Sequence, residues 1–255
     1  MAPIALAAIL AGPPVFSVLV ALGAVVLAWE WTRLCGEGRF GFLGVVMATL
    51  VLTVAVATAF GWPGSALALC FAGAAAIYCI ARIGGRIHPW WNALGPFYIG
   101  VPVVALVWLR TQDGGGRHLV VWLLFTVWAT DTGAYFAGRL IGGPRLAPVV
   151  SPNKTWAGLI GGVACAVLVG LGIALVDGRA PPMALLAAAG VILASIAQAG
   201  DLGESWIKRR FGVKDTSRLI PGHGGLFDRV DGLLAAASAL ALWQWATGGS
   251  ILAWQ

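Results

Sequence analysis

Thr155-Trp-Ala-Gly-Leu-Ile-Gly-Gly-Val-Ala-Cys-Ala-Val-Leu-Val-Gly-Leu-Gly-Ile-Ala-Leu-Val176 is a run of 22 residues without a charge. A helix rises 1.5 Å per residue, and about 20 apolar residues cross the hydrocarbon layer of a bilayer. The run therefore predicts a transmembrane helix. Comparable stretches lie at roughly 14–32, 41–62, 64–81, 90–110, 118–138, 182–200 and 232–254. The opening stretch 2–12 is apolar but short, and Gly12-Pro13-Pro14 interrupts it. It is expected as a ninth, half-length helix or a re-entrant piece. Composition agrees with this reading: AVILMFWYC residues make up 60% of the 255 and charged residues only 10%, where about 25% is usual in soluble domains. So little polar surface cannot cover a soluble globule, and disordered and disulfide-rich secreted classes are excluded. The predicted fold is all-α and polytopic, with eight or nine transmembrane helices.

The charges set the orientation. Alternating the eight long spans puts 13 of the 16 Lys and Arg on one side, leaving Arg110, Arg117 and Arg179 on the other. The richer side is expected to be cytoplasmic. A net charge of +6 then reports topology and predicts no nucleic-acid partner. Residues 1–29 hold no positive charge, which disfavours a secretory signal peptide. Cys35, Cys70, Cys79 and Cys165 sit singly, without metal-ligand spacing, and are expected to be small buried thiols.

Two polar stretches stand out from this apolar background. The first is Asp131-Thr-Gly-Ala-Tyr-Phe-Ala-Gly-Arg139 with Ser151-Pro-Asn-Lys-Thr-Trp-Ala-Gly158. Asp131 falls within a predicted span, where a carboxylate is costly unless paired, solvated or bound to metal. Arg139, two turns along, is its bland partner; a functional role is the alternative. The second stretch gathers eleven of the 26 charges between Asp201 and Asp231. Asp201, Ser205 and Lys208 fall at i, i+4 and i+7 on one helical face. Asp228 and Asp231 are i, i+3 neighbours at the start of the last span, where a helix N-terminus favours negative charge. Acidic oxygens of this kind suit Mg²⁺, which takes one or two carboxylates together with substrate phosphates. Between them, Lys214, Arg218 and Arg229 supply cations, and Gly222, Gly224 and Gly225 let backbone N–H groups approach an anion. His223, flanked by glycines, has an open role, and the run Lys208-Arg209-Arg210 doubles as an anchor on anionic lipids. Carboxylates for a metal beside cations and glycines for phosphate predict metal-assisted phosphoryl or nucleotidyl transfer at the cytoplasmic face. A transporter would place charges near mid-membrane in both halves, and the first 110 residues have almost none there.

Ser205-x-x-Lys208-Arg209, Lys214-Asp215, Pro221-Gly-His-Gly-Gly225 and Asp228-Arg229-x-Asp231 resemble the signature of the CTP:phosphatidate cytidylyltransferases, or CDP-diacylglycerol synthases. Asp131 to Arg139 and Ser151-Pro-x-Lys-Thr-Trp156 are similar to two upstream blocks of that family. The matched blocks run from about 125 to 232. Asn153 stands where many members have Lys, and Ala157 where many have Glu. The family's basic lead-in before the first span is missing, so a truncated or minimal form is expected. The resemblance implies transfer of CMP from CTP to phosphatidic acid, giving CDP-diacylglycerol and pyrophosphate in phospholipid biosynthesis. It implies Asp201, Asp228 and Asp231 as metal ligands, with Asp131 a further ligand or anchor, for Mg²⁺ alone or for Mg²⁺ with a second cation. Lys154, Lys208, Lys214 and Arg229 would hold phosphates and Ser205 would orient one; His223, Gly224, Gly225 and Arg139 complete the expected substrate-binding set. Membrane lipids, a homodimer and the bacterial inner membrane follow as expectations. On this basis residues 1–117 are expected as N-terminal transmembrane helices and 118–255 as the transmembrane catalytic region of one integral membrane unit.

Overall fold

The computed structural model describes residues 2–36, 38–178, 180–220, 222 and 224–249. The helices are α1 (Ala2–Ala11), α2 (Pro13–Cys35), α3 (Gly41–Ala59), α4 (Pro63–Ile83), α5 (Pro89–Gly95), α6 (Val101–Thr111), α7 (Gly116–Leu140), α8 (Trp156–Val176), α9 (Met183–Arg210) and α10 (Phe227–Ala246). Proline stands at the first turn of α2, α4 and α5, where its missing N–H would have had no helical partner anyway. A π turn at Pro96–Gly100 joins α5 to α6, making one continuous span, Pro89–Thr111. Pro96 is the evident cause, since it has no N–H to give an α-helical ladder.

Among the described residues, seven helices are long and apolar enough to cross a membrane, the span Pro89–Thr111 counting as one. They coincide with the first seven long stretches expected from hydropathy, and the chain is an all-α polytopic membrane protein. The expected eighth stretch, 232–254, corresponds to the 20-residue α10, whose apolar character is diluted by Asp228, Arg229 and Asp231; part of that stretch lies outside the described residues. α1 has ten residues and reaches about 15 Å, half the hydrocarbon layer. Large apolar side chains such as Ile160 (67% exposed), Leu168 (64%) and Leu175 (74%) point outward from α8, as a lipid-facing helix requires.

The chain forms two compact units, one comprising Met1–Thr111 with Phe211–Val230, the other Gln112–Arg210 with Asp231–Gln255. The segment 211–230 packs with the N-terminal helices. In the first unit Met47, Val51, Ile77 and Ile99 are fully buried. Cys70 lies against Gly100, where a Cβ would come within 2.6 Å of its sulfur. All four thiols are free; Cys35 and Cys70 are buried, but Cys79 is exposed on α4, against the expectation of buried thiols throughout.

In the second unit α7 and α8 touch backbone to backbone. A Cβ on Gly133 would stand 2.7 Å from the carbonyl of Gly161, and one on Gly158 would stand 2.9 Å from that of Ala134. Small residues permit such approach where no hydrophobic effect drives helices together. The segment between these helices, expected as a loop, folds into an antiparallel hairpin of β1 (Arg145–Ala147) and β2 (Ser151–Thr155). Thr155 then caps α8, its hydroxyl oxygen accepting from Gly158 N at 3.0 Å.

Candidate active site

The second unit assembles three carboxylates. Gly200 of α9 abuts Ala235 of α10, leaving 2.6 Å for any added Cβ, and Gly232 of α10 abuts the carbonyl of Ala197 at 3.1 Å. Each glycine adjoins an acidic residue in sequence, so the close helix contact carries Asp201 and Asp231 together. Glu204, one turn beyond Asp201, joins them. One oxygen of each residue lies within 4.8 Å of the others. Glu204 is 2% exposed, whereas Asp201 and Asp231 are partly open. Asp131, exposed on α7, acts electrostatically on Asp231, as do Asp201 and Lys154.

Two lysines brace the group. β2 ends by presenting Lys154, whose Nζ lies 2.6 Å from Asp201 Oδ2. Lys208, one turn after Glu204, places Nζ 2.6 Å from Glu204 Oε2. Ser205 Oγ donates to Asp201 Oδ1 across a long 3.5 Å, and the backbone N–H of Gly232 donates to Asp231 Oδ1 at 2.7 Å. The guanidinium of Arg139 donates to the Tyr135 hydroxyl at 2.8 Å. The oxygen donors fit a hard divalent cation: they are clustered and, at Asp201 and Asp231, partly open.

The first unit holds the other half of the expected set. Asp228, expected beside Asp231 as a ligand, has Oδ2 engaged by the Thr216 N–H at 3.1 Å, the Thr216 hydroxyl at 3.1 Å and the Gly225 N–H at 2.7 Å. Gly224 adopts φ of 80°, a region that favours glycine, and its carbonyl accepts from Ile220 N at 2.9 Å. Lys214 is exposed on the wall of a cavity of 920 Å³, together with Arg33, Arg218 and Asp215. Arg229 is also exposed. His223 lies outside the described residues.

Two residues escaped the sequence reading. Glu204 was legible as the i+3 neighbour of Asp201 and the i−4 neighbour of Lys208. Glu30, fully buried on α2, offered only the weaker signal of a lone acid in an apolar helix; its partners are 186–197 residues away.

Carboxylates braced by lysines thus stand on a polytopic helical membrane frame. The chain matches the model of the cytidylyltransferase family over residues 1–246 and belongs to that family. It is 40% identical to the phosphatidate cytidylyltransferase of Brucella suis over 244 residues, covering 91% of this chain and 83% of the relative. The phosphatidate cytidylyltransferase of Pseudomonas aeruginosa is 37% identical over 245 residues, covering 89% and 87%. That of Staphylococcus saprophyticus is 42% identical over 137 residues, about half of each chain.

Proposed function

We propose that this protein is a phosphatidate cytidylyltransferase that uses the Asp201, Glu204 and Asp231 group as its metal site. A phosphate oxygen of phosphatidate forms a bond to the α-phosphorus of CTP while the bond from that phosphorus to the bridging oxygen breaks. CDP-diacylglycerol and pyrophosphate are the products. No covalent enzyme intermediate or strong base is required, because a phosphate monoester is largely dianionic above its second pKa of about 6. The obstacle is repulsion between two polyanions, which fixed positive charge overcomes.

The observation that carries the reading is the close set of three carboxylates with a lysine on each of two. Asp201, Glu204 and Asp231 would hold Mg²⁺, which supplies charge neutralisation to the triphosphate. Lys154 and Lys208 stand beside them as cations for phosphate oxygens, and Ser205 orients one such oxygen. Lys214, Arg229 and the backbone of Gly224 and Gly225 serve the substrate phosphates from the loop, with Arg139 a further cation. Asp228 keeps one oxygen for that loop, and Asp131 adds negative charge close to Asp231. The charge asymmetry supports a cytoplasm-facing site, and the bacterial relatives support a bacterial membrane.

Detergent-purified protein, incubated with phosphatidate, Mg²⁺ and each nucleoside triphosphate in turn, should form CDP-diacylglycerol with CTP. No lipid product with any nucleotide would refute the enzyme reading.

A further inference from the structure

Glu30 is the sole carboxylate of α2, in a helix without any other charge from Pro13 to Trp31. A buried acid in such a place is unfavourable unless it is fully answered. Three donors answer it, and a fourth, the Thr216 hydroxyl, is shared with Asp228. Oε1 accepts from Ser217 Oγ at 2.6 Å and Leu226 N at 2.9 Å; Oε2 accepts from Phe227 N at 2.8 Å and Thr216 Oγ1 at 3.4 Å. The donors come from both ends of one loop, so a single side chain draws the two ends together. Leu226 N and Phe227 N also belong to the start of α10, where the helix dipole favours an anion.

Neighbouring groups are built around this contact. A Cβ on Gly225 would overlap both the Glu30 carboxylate and the Thr216 hydroxyl, so the glycine leaves the space in which they meet. Trp31, next in sequence, donates through Nε1 to the Trp91 carbonyl at 2.9 Å and packs its ring on Tyr98 and Phe227. The end of α2 is thereby fixed before the loop is hung upon it. Thr216 and Ser217, the hydroxyl donors, line the 920 Å³ cavity. Lys214 and Arg218 flank them in sequence, and Arg33, one turn beyond Glu30, faces the same space with Trp29 and Phe211.

We propose that Glu30 is a positioning residue for nucleotide binding. It fixes Thr216 and Ser217, and so holds Lys214 and Arg218 in the arrangement that receives the anionic phosphates of CTP. The proposal rests on the reading of the chain as a CTP-using transferase.

The test uses full-length, detergent-purified Glu30→Gln and Ser217→Ala. Tryptic cleavage after Lys214 and Arg218 is timed by mass spectrometry, and CTP and phosphatidate are varied separately in steady-state kinetics. In Glu30→Gln an amide NH₂ faces donors that need an acceptor. Cleavage should quicken and the KM for CTP should rise, each by at least ~10-fold, the scale of one lost hydrogen bond to a charged group. The kcat and the KM for phosphatidate should stay within about twofold, as expected when only ground-state nucleotide binding is lost. Ser217→Ala removes one donor and should move both quantities the same way by less; it also carries the test if Glu30→Gln does not extract as folded protein. Unchanged cleavage, or a loss confined to kcat, would overturn the proposal. A wild-type protein that makes no lipid product would remove the enzyme reading and with it the nucleotide role, while unchanged cleavage alone would remove the loop-holding role of Glu30.

Discussion

Glu30 and Glu204 are both buried glutamates near the ends of long apolar helices, at 0% and 2% exposure, and they are answered in opposite ways. Glu30 meets three hydrogen-bond donors of its own and a fourth, the Thr216 hydroxyl, that it shares with Asp228. Glu204 meets one lysine and shares its space with two further carboxylates. Like charges at such spacing raise each other's energy, so a fold selected only for stability has no reason to gather them. The first glutamate meets hydrogen-bond donors of the protein, and the second stands in a group of carboxylates that could hold a metal ion. How a buried acid is satisfied therefore separates scaffold from site more clearly than how deeply it is buried.

The largest effects should fall on the second arrangement. Asp201→Asn, Glu204→Gln and Asp231→Asn should each lower CDP-diacylglycerol formation by at least ~100-fold, the scale seen when a key electrostatic stabiliser is removed. Each should also change the Mg²⁺ concentration required. Pairs should cost far less than the product of the singles, as groups acting as a unit do. Well-folded variants with near-normal turnover and unchanged Mg²⁺ dependence would erase the contrast with Glu30. A smaller effect belongs to the hairpin. Lys154→Ala removes the partner of Asp201 and should cost ~10-fold or more in turnover, as for a lost charged hydrogen bond. Its exposed neighbour should tolerate Asn153→Lys, and equal losses in the two would show that the hairpin acts through its shape. The smallest effect is expected at His118, whose Nε2 lies 3.8 Å from Asp177 Oδ2. A partly exposed pair at this distance contributes little, so His118→Ala should leave turnover within about twofold.

Most of the frame was legible because hydropathy is a local signal. The run at 155–176 and the helix Trp156–Val176 differ by one residue, and 118–138 lies within Gly116–Leu140. The candidate site was legible in part for the same reason: Asp201, Lys208 and Glu204 are neighbours on one helix, although only the first two were picked out. The i, i+3 spacing of Asp228 and Asp231 suggested a shared role, yet Asp228 bonds the loop through Thr216 and Gly225 while Asp231 joins Asp201 and Glu204. Helical spacing fixes which face a side chain takes and says nothing of what waits opposite. Pairings across the chain, such as Lys154 with Asp201 or Glu30 with Phe227, leave no local pattern to read.

The span of sequence between Glu30 and its donors also has a consequence in time. Thr216, Ser217, Leu226 and Phe227 follow it by 186 to 197 residues. At ribosomal speeds of about 5–20 residues per second, they emerge roughly 10–40 s after the helix that needs them. During that interval α2 carries an acid without its eventual donors, and a chain that ends before residue 216 never supplies them. Until the loop and the first turn of α10 are made, the Glu30 carboxylate therefore has none of these four groups to meet.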